Sequence, residues 1–386
     1  MIRVILLLDF AEEYHKKLLQ GILRYSREHG PWVFCRMPVY YRETMGIDGI
    51  LKFAKEWEAN GIIGQLENNR ELEKFKKAGI AVIAQDFQEK IKDVPCITSA
   101  YQETGRLGAE YFLKRGFKNF AFYGFRNIVW SRERAEGFEK RLKEEGHNVH
   151  YYESDEEDPT ELWYYKPSLL SEWLTALPKP IALMTCDDNQ GMHITEACRY
   201  VGINIPAEIA ILGVDNDETI CYLSDPPLSS INLDIEKAGY EAADLMASII
   251  QRKDTDYNDI TVVPTHIITR HSTDIFSTDD KIIVKALNYI HQHIDTDLNI
   301  DDIVKEVPLS RRSLEIRFNQ VTGYPIYNYI MNHRIEKFTK ILLETEKTVY
   351  EIALELGLND SKNISRQFKK AKGMAPIEYR KAYAKK

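Results

Sequence analysis

Six short, unbroken apolar runs punctuate the first 270 or so residues: RVILLL near the start, GIIGQL (61–66), IAVIAQ (80–85), NFAFYGF (119–125), IALMTC (181–186) and IAILGV (209–214). A strand covered on both faces reads this way, because neither face needs polar side chains. Amphipathic stretches fall between them, among them EEYHKKLLQGILRYSREHG, which closes on Gly30, ETGRLGAEYFLKRG and RERAEGFEKRLKEEG. Strands alternating with helices demand crossover connections and parallel sheets. So many units point to two doubly wound sheets rather than one. SSINLDIEKAGYEAADLMASIIQRKD adds a strand and a long helix, and ITVVPTHIITRHST a strand pair interrupted by Pro264. The acidic tract ESDEEDP (153–159) reads as a surface loop.

The pattern breaks at the polar stretch DIFSTDD (274–280), and everything after it reads helical. The expected organisation is an α/β body over 1–273, a linker over 274–280 and an all-α module over 281–386. Charge divides in the same place. From Asp279 onward there are 19 Lys and Arg against 15 Asp and Glu, a net +4, which leaves −12 on the rest of a chain whose total is −8. A mildly basic tail on an acidic body suits a nucleic-acid module joined to a domain with another task. Cys35, Cys96, Cys186, Cys198 and Cys221 are scattered, with no CxxC pair. That argues against a disulfide framework or a zinc site, and for a reducing compartment. The opening MIRVILLLDFAEEYHKK lacks the long apolar region of a signal peptide. No run approaches the roughly 18 apolar residues that a membrane span needs. The expectation is a cytoplasmic protein with no membrane partner, no cofactor and no metal.

Inside the helical module one unit occurs twice. Ile303, Phe318 and Gly323 correspond to Ile352, Phe368 and Gly373, at an offset of 49 or 50. Each copy has a short apolar helix, a tight turn and a second helix carrying basic and polar residues: LSRRSLEIRF (309–318), then LNDSKNISRQFKK (358–370). That is a helix-turn-helix, whose second helix can enter the major groove. Two ordinary helical hairpins are the plainer alternative, and the duplication argues against it. Gly357 supplies the second turn; Ser310 in the first copy and Asn359 or Asp360 in the second are placed to cap. Between the copies, PIYNYIMNHRIEKFTKILLETE starts at Pro325, a residue suited to a helix start. About twenty residues at 1.5 Å each span roughly 30 Å, close to the 34 Å or so of one DNA turn. The candidate base-reading residues are Arg311, Arg312 and Glu315 in the first copy and Lys362, Asn363 and Arg366 in the second. Arg can bridge guanine O6 and N7, and Glu can accept from cytosine N4. Lys369 and Lys370 suit phosphates, and Leu314, Phe318, Ile364 and Phe368 suit the core. For each candidate reader, a merely solvated side chain is an equal alternative.

This segment resembles the AraC/XylS-type DNA-binding domain over about 105 residues. The resemblance is carried by SRRSLEIRF, NHRIEKFTKILLET, VYEIALELGLND and ISRQFKKAKGMAPIEYR. Pro308 departs from it by standing where the family has its turn glycine. Proline cannot adopt positive φ, so the first turn must differ.

In the body, GVDNDE (213–218) and TCDDNQG (185–191) each follow an apolar run, at the carboxyl ends of strands where open α/β sheets bind ligands. Carboxylates and amides there suit sugar hydroxyls; the same residues also serve as helix caps. WSRERAEGF (130–138) adds the apolar face of Trp130 and the multi-donor fork of Arg134, for which a surface ion pair is the alternative. Together with TGRLGAEYFLKRGFKNFAFYGF, NIPAEIAILGVDNDE and PPLSSINLDIEKAGYEAADLM, these stretches resemble the effector domain of LacI/GalR-type regulators. That resemblance implies a two-lobed fold like that of periplasmic sugar-binding proteins. It implies ligand contacts from Arg134, Asp187 and Asp215, with Asp9 added by position and Trp130 as a stacking platform. The chain begins directly at the first strand, so the family's own N-terminal helix-turn-helix is expected to be missing. Ala100-Tyr101 replaces the Asp-Asn of relatives, which removes one hydrogen-bonding carboxylate.

A sugar-sensing body followed by an AraC-type module resembles the xylose-operon activators. The resemblance implies a DNA-binding regulator of pentose utilisation genes, with D-xylose as effector, a homodimeric state and RNA polymerase as a further partner. Lobe 1 is expected over about 1–117 and 230–270, and lobe 2 over about 118–229, joined by crossovers near 117 and 229 and a third near 260. Helices 104–115 and 235–251, both assigned to lobe 1, are the candidate dimer surface. A different sugar or polyol is one alternative, and a sugar-processing enzyme with a DNA-binding tail is another. Against the enzyme, the chain has no GxSxG, P-loop, GxGxxG or HExxH, and HQH (291–293) reads as a helix surface. A purely architectural DNA-binding protein would leave the body unexplained.

Overall fold

The apolar runs assemble into two six-stranded sheets. In chain order the first unit runs β1 (Arg3–Leu7), α1 (Glu13–His29), β2 (Val33–Arg36), α2 (Val39–Glu56), β3 (Gly61–Gln65), α3 (Asn69–Lys77), β4 (Ala81–Gln85) and β5 (Cys96–Ser99). Then come α4 (Tyr101–Lys114), β6 (Phe120–Tyr123), α5 (Val129–Glu144), β7 (Val149–Tyr151), α6 (Pro167–Ala176), β8 (Ile181–Thr185) and α7 (Asp188–Tyr200). It ends with β9 (Ile209–Val214), α8 (Glu218–Leu223), β10 (Ser229–Leu233), α9 (Ile235–Ile250), β11 (Ile260–Val262), β12 (Pro264–Ile268) and a 3-10 turn at His271–Thr273. The computed structural model describes residues 1–65, 69–91, 94–152, 167–251, 258–274, 280–294, 296–322, 324–357 and 361–383. The acidic tract 153–159 and the capping pair Asn359 and Asp360 lie outside them. The chain divides into two units, Met1–Asp274 and Ile275–Lys386.

The first sheet has the order β11-β5-β4-β3-β1-β2 and the second β12-β10-β9-β8-β6-β7. Every pair is parallel except β10 with β12. β12 lies at an edge, where Pro264 can sit without breaking a ladder. β8 and β9 are buried at every position, which is why they read as continuous apolar runs.

The division into lobes differs from the expected one. β10 and β12 belong to the second sheet, so 229–233 and 264–268 are not part of lobe 1. α4 is also in lobe 2. A methyl group added at Gly108 would meet Met184 and Leu212, and one at Gly105 would overlap the Arg134 carbonyl. Only glycines let α4 lie this close to α5 and the second sheet. α9 packs on lobe 1, with Gly239 against Leu18 and Met246 against Gly61. Lobe 1 is therefore 1–99 with 235–262, and lobe 2 is 101–233 with 264–274. The three crossings lie at Ala100, Asp234 and Val263, rather than near 117, 229 and 260. They run side by side: the Ala100 amide donates to the Val262 carbonyl (2.9 Å) and the Asp234 amide to the Val263 carbonyl (3.0 Å).

The second unit contains α10 (Lys281–His293), α11 (Ile300–Glu306), α12 (Arg311–Thr322), α13 (Ile326–Glu344), α14 (Val349–Glu355), α15 (Ser361–Lys372) and α16 (Pro376–Tyr383). Its core is two clusters that share α13. Ile326, Tyr329 and Ile330 join Ile283, Leu287, Ile303, Leu314 and Phe318. Met331, Ile335, Phe338 and Leu342 join Ile352, Ile364 and Phe368. Among the described residues no helix is long and apolar enough to cross a membrane.

Candidate effector cleft and nucleic-acid interface

The carboxyl ends of β1 and β4 in lobe 1 face those of β8 and β9 in lobe 2 across the crossover segments. Arg134 is the fixed point. It projects from α5 with a side chain only 3% exposed. One terminal nitrogen donates to the Cys186 carbonyl and the other to Asp215 Oδ1, at 3.1 Å. Its guanidinium carbon lies 5.5 Å from the Trp130 ring centre and 5.9 Å from that of Tyr101. Positions 130 and 134 share one face of α5 (Val129–Glu144).

Asp187 is the N-cap of α7, with Oδ1 accepting from the Gln190 amide at 2.7 Å. The capping carboxylate stays within electrostatic reach of Asp215 and Arg134. Burial, then the nearby Asp215 carboxylate, push its acid up to about 6 against the lowering pull of the cap amide and Arg134. Asp188 behind it is buried and holds the Asp217 amide at 2.7 Å, and burial raises its pKa well above the usual carboxylate range. Asp9 stands just beyond β1. Its Oδ1 accepts from the Ala11 amide (2.9 Å), and its carbonyl accepts from His15 Nδ1 (2.8 Å). His15 Nε2 lies 3.1 Å from the side-chain oxygen of Gln85. Burial holds this histidine neutral by lowering its pKa.

Arg134, Asp215, Asp187 and Trp130 are thus assembled in lobe 2, with Asp9 opposite in lobe 1. Three further residues join them that motif reading did not pick out. Glu12, a 53% exposed side chain beside Asp9, sits in the recess with its pKa raised to about 8. Partial burial is the largest cause, followed by Asp9, Asp187 and Asp215. Lys17 of α1 reaches across to lobe 2 and donates to the carbonyls of Asp215 (2.9 Å) and Asn216 (2.8 Å). Tyr101 donates to Asp86 Oδ2 at 3.4 Å, so a carboxylate just beyond β4 stands beside it. The one sequence signal for Lys17 is its place on the polar face of α1, which any solvated lysine shares. The opposite rim is stitched by the Val129 amide to the Phe87 carbonyl (3.0 Å), Arg132 to Glu89 (3.1 Å) and Lys90 to Glu133 (2.8 Å).

In the second unit, α12 and α15 are the second helices of the two hairpins. Leu314, Phe318, Ile364 and Phe368 are buried, and Arg311, Arg312 and Arg366 are exposed. Glu315 is partly covered. Arg311 pairs with Asp301 at 3.0 Å, which holds it back over α11. Lys362 and Asn363 lie in the first turn of α15; their side chains are outside the described residues. Ser310 caps α12 through the Ser313 amide (3.3 Å). The two turns do differ. Gly357 takes φ 66°, whereas Val307 before Pro308 is extended at φ −126°.

Two family models match: the periplasmic binding protein-like domain over residues 109–273 and the helix-turn-helix domain over 303–382. The xylose operon regulatory protein of Escherichia coli K12 is 26% identical over 98% of this chain and 96% of its own length. The regulatory protein SoxS of the same organism is 33% identical over 26% of this chain and 94% of its own length. A solved structure of the xylose-binding transcription activator XylR has the same fold, at a TM-score of 0.64 and 23% identity, over 99% of this chain and 98% of that one.

Proposed function

The chain belongs to the transcription regulators that join a periplasmic-binding-protein-like domain to a helix-turn-helix domain, and on that premise we propose that it is a cytoplasmic, pentose-responsive activator whose effector is D-xylose. The observation that carries the ligand class is the charge of the cleft. Asp9, Asp187 and Asp215 line it against Arg134 and Lys17, with Glu12, its pKa raised to about 8, beside them as an acid. An excess of carboxylates repels sugar phosphates and acids and favours a neutral ligand rich in hydroxyl donors. Arg134 supplies a donor fork for ring or hydroxyl oxygens, and Trp130 an apolar face.

Sugar bound between lobes adds bonds to both and favours the closed arrangement. It can shift that equilibrium only by its differential affinity for the two forms. In a homodimer, closure alters the relation between two helix-turn-helix modules, and so the affinity for paired DNA sites. RNA polymerase is the partner through which an activator acts. In each module Arg312 and Arg366 face solvent and suit base edges, and Lys369 and Lys370 suit phosphates.

Thermal melting of the full chain against pentoses, hexoses, polyols and pentose phosphates tests the reading. A ligand that binds only the folded form raises the melting temperature by mass action. A shift with D-xylose and none with xylose 5-phosphate is expected. A shift with another sugar alone would replace the effector, and no shift with any neutral sugar would remove the sensor reading.

A further inference from the structure

We infer that Arg270 is a positioning residue that carries the state of the cleft to the end of the first unit, acting through the Asp215–Asn216 turn. This rests on the sugar-sensor reading above and adds a residue outside the cleft to it.

The turn is wired on every side. Asp215 and Asn216 have φ of 95° and 49°, left-handed values that Asp and Asn adopt more readily than other non-glycine residues. Arg134 grips the Asp215 carboxylate and Lys17 the two carbonyls. The Asp215 amide donates to the Ile231 carbonyl, the Asn216 amide to Ser230 Oγ (3.0 Å), and the Asp217 amide to Asp188. The Asn216 side-chain oxygen accepts from Arg270 at 2.8 Å.

Arg270 in turn is the N-cap residue of the 3-10 turn His271–Thr273, which leads to Asp274, the last residue of the unit. Its other terminal nitrogen donates to the Leu228 carbonyl (2.8 Å). The 3-10 turn cannot move independently of what lies beneath it. Ser272 Oγ donates to the Ile211 carbonyl (2.6 Å), Thr273 Oγ1 donates to Ser229 Oγ (2.7 Å), and Tyr111 of α4 bonds both Thr269 and Thr273. Asp215 would touch the sugar, and Asn216 touches Arg270. A single peptide therefore separates the ligand from the segment that continues into the helix-turn-helix unit.

A second observation bears on whether this turn can shift. Buried polar atoms without a partner are rare and costly. Among the described residues three of them flank this turn: Arg134 Nε, Asp188 Oδ1 and Arg270 Nε. Both guanidinium groups that hold the turn have a donor unused, so a shift that satisfies them has a driving force ready.

Amide hydrogen exchange on the full chain, with and without saturating D-xylose, tests this. In the wild type the sugar is expected to slow exchange at 215–217 and at 270–274 together, by about fivefold or more. In Arg270→Lys, which keeps the charge but not the fork, slowing at 215–217 persists and that at 270–274 is lost. Tyr111→Phe, a milder change, should weaken the response at 270–274 alone. Wild-type slowing confined to the cleft, or an unaltered response at 270–274 in Arg270→Lys, would overturn the role of Arg270. An absence of slowing at 215–217 in the wild type would instead strike the sugar-sensor reading itself.

Discussion

On the proposed reading Arg134 has two tasks that pull against each other: it must stay charged where almost no water reaches, and it must keep donors for a ligand. The Cys186 carbonyl and the Asp215 carboxylate make the first tolerable. A lysine there keeps the charge but loses the planar fork, and a charged hydrogen bond is worth about 1.5–3 kcal/mol. Arg134→Lys is therefore expected to weaken D-xylose binding by roughly 10- to 100-fold, read by calorimetry. Glu12 gives a pH test. Its folded pKa, about 8, is raised above the ordinary 4.5, so its ionisation disfavours the folded state. That cost is absent below about pH 4.5, where both states are protonated, and is complete above about pH 8. Glu12→Gln should raise the melting temperature at pH 9 and leave it unchanged at pH 4. The side chain is half exposed, so solvent screens much of the effect and a rise of about 2 °C is expected. Asp187 and Asp215 were legible as strand-end residues because each follows an apolar run, and Arg134 through the resemblance carried by its RERAEGF stretch. Glu12 and Lys17 were not, because a helix-surface charge looks the same whether it faces water or another lobe.

At the scale of elements, local chemistry explains both what could be read and what could not. The long helices announced themselves by period and the fully buried strands by unbroken apolar runs. β2, β5 and β7 did not, being three or four residues long and lying at or near sheet edges. Two helix starts carry complete capping boxes, Asn299 with Asp302 and Thr348 with Glu351. Thr348→Ala is expected to cost about 1 kcal/mol in urea unfolding of the second unit. The turn at Gly357 is more demanding. Its φ is 66°, and a methyl group there would stand 2.3 Å from the Thr296 carbonyl carbon. Gly357→Ala is expected to destabilise that unit by more than the roughly 1–2 kcal/mol of left-handed strain. A cost no larger than that of Thr348→Ala would show that the turn relaxes. The expected departure at Pro308 is real: Val307 stays extended, so the first turn is built without a left-handed residue.

For the molecule as a whole, the two units have separate cores, which sets the logic of the last prediction. Arg312→Ala with Arg366→Ala should weaken DNA binding by about 100-fold or more and leave the melting shift with D-xylose unaltered. A lost sugar response in that variant would mean that the units do not act as separable parts. The α/β character of the body, the duplicated helix-turn-helix and the residues at strand ends follow from patterns a few residues long. Burial on one or both faces dictates those patterns whatever the element packs against. Which lobe owns α4, α9, β10 and β12, where the chain crosses, and that Lys17 meets the Asp215–Asn216 turn are another matter. Periodicity says which face of a helix is covered and is silent on what covers it. That partner is chosen by fit between distant surfaces, such as the bare backbone at Gly105 and Gly108 that lets α4 settle on the second sheet.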